Sequence, residues 1–302
     1  MNNKTWLEKN TARLDKKKIA ITGSTGGLGV ELCKYLASLG ADLVLVDRNA
    51  ERSEEHARRL RSEYPDICVL CVHADLEDIL SVHEATEELK KADIDIFIHN
   101  AGAYSIERHI CTSGYENIFQ INFASPYYMI RELVPYLRKK NGKAVAVGSI
   151  AHNYSKSDGD DIDFRTRRAH SKVYGNAKRY LMFSLYELFA GEENVSLSVV
   201  HPGITFTNIT NHYPKVVFAL IKHPMKIIFM KPKTAALSLL LGNFDRTESC
   251  EWIGPCMFGI WGYPKKKKLH TCSDAERAEI AQRSDRVYNS LKNTIGKLRT
   301  KE

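Results

Sequence analysis

The sequence predicts an α/β fold, one doubly wound parallel sheet in a single domain, and three observations predict it. Short apolar runs alternate with longer segments of helical spacing from Lys18 to Val200, the pattern of parallel strands covered by helices on both faces. A glycine-rich turn, Thr22-Gly23-Ser24-Thr25-Gly26-Gly27-Leu28-Gly29, joins the first run to the first helical segment. Tyr174 and Lys178 stand at i and i+4 in Tyr-Gly-Asn-Ala-Lys, a spacing that puts both side chains on one helix face.

The elements follow in order. A polar, basic lead precedes the strand Lys18-Ile19-Ala20-Ile21-Thr22, which runs straight into the glycine turn. Leu28 to Leu39 has helical spacing and is stopped by Gly40. Asp42 to Asp47 reads as a second strand, and Ala50 to Tyr64 as a charged surface helix closed by Pro65. The alternation continues with strands at 67–73, 94–99, 143–148 and 195–200, and helices at 77–91, 113–139 and 171–190. Residues 204–230 break this rhythm: they are apolar and aromatic, interrupted by Pro214 and Pro224. The stretch 273–297 reads as an amphipathic helix with Ser273 as its N-cap and acidic residues in its first turns.

Composition narrows the classes. With 43% hydrophobic residues in 302, the chain can bury a core and is not of the disordered type. No run of about 18 apolar residues marks a transmembrane helix, and the N-terminus lacks the apolar segment of a secretory signal. A cytoplasmic location is the expectation. The seven cysteines are scattered. Cys68 and Cys71 fall in a strand-like run, on opposite faces by alternation, with no second pair to complete a zinc site; they are expected to be buried free thiols. The charge of +8 is spread along the chain apart from Lys16–Lys18 and Lys265–Lys268, so a solvated surface is expected and no nucleic-acid partner. Asp158, Asp160, Asp161 and Asp163 crowd one loop, but their spacing misses the calcium-loop pattern. A solvated acidic loop is expected there, and no metal site.

The motifs carry more chemistry. A glycine turn between strand and helix lets backbone amides and the helix N-terminus approach a pyrophosphate. Asp47, ending the second strand, is placed to accept from adenine-side ribose hydroxyls and to repel a 2′-phosphate. This favours NAD, while Arg48 beside it leaves NADP as the alternative. A cation near Tyr174 favours the phenolate; lowering its pKa by about three units requires about 4 kcal/mol.

Taken in order, Thr22-Gly-x-x-x-Gly27-x-Gly29, Asn100-Ala101-Gly102, Asn122, Ser149, Tyr174-x-x-x-Lys178 and Pro202-Gly203 resemble the short-chain dehydrogenase/reductase family over roughly residues 16–295. Ser149-Ile150-Ala151-His152, Trp252-Ile253-Gly254-Pro255 and Trp261-Gly262-Tyr263-Pro264 are similar to its retinol dehydrogenase-like branch. The resemblance implies a Rossmann-type core at 16–203, a substrate lid at 204–230 and a C-terminal helix at 273–297. It implies that Tyr174 is the general acid/base, that Lys178 holds the nicotinamide ribose and lowers the tyrosine pKa, and that Ser149 bonds the substrate oxygen. Asn122 would hold a water in a proton relay. Cofactor contacts are implied for Gly23, Ser24, Thr25, Gly27, Leu28, Gly29, Asp47, Arg48, Asp75, Leu76, Asn100, Ala101, Gly102, Tyr174, Lys178, Pro202, Gly203, Ile204 and Thr207. His99 stands where the family often has a second asparagine, and reads as a core strand histidine.

The function expected on these grounds is an NAD(P)-dependent oxidoreductase interconverting an alcohol and its carbonyl. The apolar runs Val216–Ile221 and Ile227–Met230 point to a lipophilic steroid-, bile-acid- or isoprenoid-like substrate; with their flanking lysines they also suit peripheral membrane contact. A homodimer or homotetramer through helices 113–139 and 171–190 is the family expectation. Two alternatives stay open: a non-catalytic dinucleotide sensor of the same fold, and an epimerase or dehydratase of the extended type, whose glycine spacing Gly26 and Gly27 also satisfy.

Overall fold

The computed structural model describes residues 2–204 and 230–300. They build one eight-stranded sheet in the order β3-β2-β1-β4-β5-β6-β7-β8. The strands are β1 (Lys18–Thr22), β2 (Asp42–Asp47), β3 (Val69–His73), β4 (Ile96–His99), β5 (Lys143–Val147), β6 (Ser196–Val200), β7 (Glu251–Met257) and β8 (Trp261–Lys268). All neighbours pair in parallel except β7 and β8, which form an antiparallel hairpin at one edge. The doubly wound parallel sheet expected from the sequence is borne out, and the hairpin adds one antiparallel edge to it. The order reverses between β1 and β4, and the carboxyl ends of the strands flanking such a reversal are where open α/β sheets take ligands.

Helices cover both faces. On one lie α1 (Asn3–Asn10), α2 (Gly27–Ser38), α3 (Ala50–Glu63) and α7 (Pro232–Phe244), around Leu32, Leu36, Leu60 and Leu240. On the other lie α4 (Ile79–Ala92), α5 (117–139), α6 (His170–Leu188) and α8 (Asp274–Arg299), around Val82, Leu133, Phe183 and Val287. The polar lead is not bare: α1 buries Trp6, at 2% exposure, in a stack on Tyr263 of β8 with centroids 6.3 Å apart. In α8, Ser273 caps the first turn by accepting from the Glu276 amide, and Ile280, Val287, Leu291 and Ile295 form the buried stripe.

Two loop expectations change. Cys68 is exposed and Cys71 half-buried, because Cys68 lies just before β3. The acidic loop is held by arginines: Arg167 pairs with Asp158 at 2.7 Å, and Arg165 with Asp163 at 2.7 Å. Asp163 is 1% exposed and accepts from the Glu116 amide, so it is part of the core rather than solvated. The lid expected at 204–230 falls, apart from its two end residues, outside the described residues.

Candidate active site

The glycine turn leaves β1 with Gly23 at φ +68°, in the left-handed region. A Cβ there would meet the Ala101 Cα at 2.9 Å, and one on Gly29 would meet the Gly23 carbonyl oxygen at 2.2 Å. Gly26 is the N-cap of α2 and offers no side-chain cap, so the first amides of α2 keep their donors for an anion. Asn100 clamps this turn from β4: its amide donates to the carbonyls of Thr22 and Gly23, at 3.1 and 3.0 Å. Thr22 Oγ1 accepts from the amides of both Asn100 and Ala101. With both lone pairs taken, its hydroxyl donates to His99 Nδ1 at 3.1 Å. His99 is thus a buried strand histidine, held neutral by burial.

A cavity of about 750 Å³ opens over these ends. Of the expected cofactor residues, Gly23, Thr25, Gly27, Leu28, Gly29, Asp47, Arg48, Asp75, Leu76, Asn100, Ala101 and Gly102 line it. Ser24 does not: it is fully buried beneath, its hydroxyl donating to Asp47. Asp47 also accepts from the amide and hydroxyl of Thr25, at 3.2 and 2.9 Å, and from the Ser53 hydroxyl at 3.3 Å. Four donors fill the capacity of a carboxylate, so Asp47 here organises the glycine turn and has no acceptor to spare for a ribose. Pro202, Gly203 and Ile204 are not in the cavity wall; Gly203, at φ +81°, packs against Ile260, Met230 and Pro255. Thr207 lies outside the described residues. Glu77 and His109 line the cavity and were missed; only Glu77's place two residues after Asp75 offered a signal.

The helix α5 brings Asn122 behind Gly102 of the cavity wall. Its middle, Gln120–Ala124, is a π-helical turn, a distortion often found at functional sites. Asn122 is fully buried; its amide donates to the carbonyls of Ala103 and Ile118, both at 2.8 Å, and its side-chain oxygen accepts from the Ala103 amide. Pro126 has no N–H, so the Asn122 main-chain carbonyl lacks the donor four residues on. Gly102 fits only as glycine, since a Cβ would stand 2.8 Å from Asn122 Oδ1 and 3.8 Å from Lys178 Nζ.

Ser149 follows β5 and caps the short turn Ile150–Asn153. Tyr174 and Lys178 lie on α6, with Nζ 5.7 Å from the tyrosine ring centre. Lys178 is 2% exposed, donates to the Val147 carbonyl at 2.9 Å, and is pushed down to about 7 by burial. Burial raises Tyr174 to about 12, against the opposing effect of a hydrogen bond with Ser149. At Tyr174, then, burial outweighs the opposing effect of Ser149. Burial costs Lys178 much of its own charge, and the hydrogen bond that favours the phenolate comes from Ser149. The Tyr104 ring meets Tyr174 edge-on at 5.3 Å.

The residues fit a dinucleotide: a glycine cradle that admits no Cβ, an uncapped helix N-terminus, and an acid/base trio beyond it. Among the described residues no cluster of three His, Cys, Asp or Glu side chains is placed to hold a metal ion, and no helix is long and apolar enough to cross a membrane.

Comparison with known proteins agrees. The family model of the short chain dehydrogenases matches residues 17–216. Short-chain dehydrogenase TIC 32 A of Brassica napus is 27% identical over 67% of this chain and 68% of its own length. Human retinol dehydrogenase 13 is 26% identical over 67% of this chain and 62% of its own. Among solved structures, an uncharacterised protein from Mycobacterium paratuberculosis superposes with a TM-score of 0.70 at 21% identity, covering 95% of this chain and 96% of that one. A short-chain dehydrogenase from Sphingobium yanoikuyae in complex with NADPH gives 0.58 at 23%, over 75% and 84%. The chain belongs to the short-chain dehydrogenase family and is an NAD(P)-linked oxidoreductase of the alcohol/carbonyl type.

Proposed function

We propose that this chain interconverts a lipophilic alcohol and its carbonyl, with Tyr174 as acid/base, Ser149 as the donor to the substrate oxygen and NAD as the preferred dinucleotide. The observation that carries it is Lys178 buried beside the tyrosine, its Nζ 5.7 Å from the Tyr174 ring centre, with Ser149 acting on the same phenol. When bound, the dinucleotide supplies or accepts the hydride. In the reducing direction the Tyr174 hydroxyl gives its proton to the substrate oxygen, and the Ser149 hydroxyl donates to that same oxygen as its charge grows. In the oxidising direction Tyr174 takes the proton back. Lys178 would hold the ribose, and the Asn122 carbonyl a relaying water.

A lipophilic substrate is supported by Tyr104 beside Tyr174, by the apolar runs between Val216 and Met230, and by the alcohol named in retinol dehydrogenase 13. A neighbour of the same fold holds NADPH, so the choice of NAD rests on this chain's own side chains: among the described residues the cavity wall carries Asp47, Asp75, Glu77 and Glu107 against Arg48 and His109. The test is titration with NADH and NADPH, followed by absorbance of the reduced nicotinamide across long-chain and ring alcohols and ketones. Tyr174→Phe should keep NADH binding and lose about 10²–10⁴-fold in kcat. Unchanged turnover in that variant would exclude Tyr174 as the acid/base, and indifference to substrate chain length or ring size would exclude the lipophilic pocket.

A further inference from the structure

We propose that Glu77, rather than Asp47 alone, sets the discrimination against a 2′-phosphate, because its single carboxylate lies against both Arg48 and His109. The proposal rests on the cofactor reading above.

Glu77 follows β3 and is held by its own backbone, its amide donating to Asp75 Oδ1 at 3.0 Å and its carbonyl accepting from Gln120 Nε2 at 2.6 Å. The side chain, 23% exposed, is aimed between two walls of the cavity. Oε1 lies 3.9 Å from Arg48 Nη1, and Oε2 lies 3.1 Å from His109 Nε2. Among the described residues, Arg48 and His109 are the basic side chains in the cavity wall. Arg48, 68% exposed, is the side chain best placed to reach a phosphate on the ribose.

A phosphate monoester brings about 1.5 to 2 negative charges at neutral pH. A phosphate drawn to Arg48 would compete with Glu77, 3.9 Å away, and would face its carboxylate. A ribose hydroxyl makes no such demand. Asp47 adds negative charge, but its acceptors are committed to Ser24, Thr25 and Ser53, so its removal disturbs the glycine turn that both dinucleotides need. The two carboxylates therefore separate by effect: Asp47 governs affinity for either cofactor, and Glu77 governs the ratio between them.

The experiment is direct titration of the full chain with NADH and NADPH, read by nicotinamide fluorescence, for the wild type, Glu77→Gln, Asp47→Asn and Arg48→Gln with and without Glu77→Gln. In Glu77→Gln the ratio of the NADPH to the NADH Kd should fall at least about fivefold. In the Arg48→Gln background the same change should move that ratio by less than about half as much. Asp47→Asn should weaken both dinucleotides together. A ratio indifferent to Glu77→Gln, or a shift undiminished without Arg48, overturns this proposal and leaves the cofactor reading intact. A wild type that binds neither dinucleotide, or that prefers NADPH, overturns the cofactor reading and this proposal with it.

Discussion

Lys178 shows at the scale of one residue how function opposes stability. An ammonium 2% exposed, with a single carbonyl partner, is costly to keep charged; its pKa of about 7 against 10.5 when unfolded expresses that cost. Between these values the unfolded chain holds the extra proton, so stability rises with pH across the window from 7 to 10.5, and below 7 the full penalty stands. Lys178→Met should therefore stabilise the fold by about 1–3 kcal/mol at pH 6, after allowing for the unpaired Val147 carbonyl. The gain should shrink as pH approaches 10.5, while turnover is lost. Denaturant unfolding of both proteins at pH 6, 8 and 10 measures it; a variant less stable than wild type at pH 6 contradicts the account. Gly29 is the opposite case, where function and stability need the same atom absent. Gly29→Ala should lower both stability and dinucleotide binding, since its Cβ meets the backbone of Gly23 and Ser24 rather than a movable side chain.

Among the elements, the turn that carries Ser149 depends on a buried clasp. His152, fully buried, has Nδ1 2.6 Å from the Ser149 carbonyl, so that nitrogen must carry the proton. Nε2 then accepts from the Thr271 hydroxyl at 2.8 Å. Arg179 closes the clasp from α6, donating to the carbonyls of His152 and Thr271 and pairing with Glu276 of α8 at 2.6 Å. His152→Leu should cut kcat about tenfold by letting Ser149 drift, with NADH affinity kept. His152→Asn, whose amide can still donate to the Ser149 carbonyl, should recover part of the loss; a Leu variant with full kcat would show the clasp to be idle. Ser-x-Ala-His was legible in the sequence as a motif, but not its partners, because Thr271 and Glu276 arrive from more than 100 residues away. The same distinction runs through the fold. β1, β2 and the helix between them could be read because local apolar period and tertiary role coincide there. The β7–β8 hairpin could not: Lys265–Lys268 has the composition of a loop and forms a strand only because β7 supplies its hydrogen bonds. Its lysines are well suited to an edge that must not pair further. Likewise α5 was read as one continuous helix, and the π-helical turn at Asn122 was signalled only by Pro126 four residues on.

Across the whole molecule, α8 decides which surfaces remain open. It lies along α4, α5 and α6, the last two being the helices through which the family expectation would pair two copies. The seam is well built: besides its apolar stripe, Arg131 of α5 pairs with Asp285 and sits 4.1 Å from the Tyr288 ring centre. Tyr288 and Lys292 both meet Glu132, and Arg277 pairs with Glu187 at 2.5 Å. A second copy docking on those faces would have to displace α8, stripe and ion pairs together. Arg131→Glu tests this seam, because it replaces one attraction by repulsion from Asp285 and removes the cation from the Tyr288 ring. The variant should lose about 1–3 kcal/mol of stability, as expected when a partly buried cation–π contact and ion pair fail together. Hydrogen exchange should quicken along 274–299 before it quickens in β1, β4 or β5. Where α8 is what keeps these faces from self-association, sedimentation of the same variant should also show a concentration-dependent dimer that the wild type does not form through α5 and α6. Exchange that quickens uniformly through the sheet would instead make α8 an inseparable part of the core, and the clasp at Ser149 would then be lost with it.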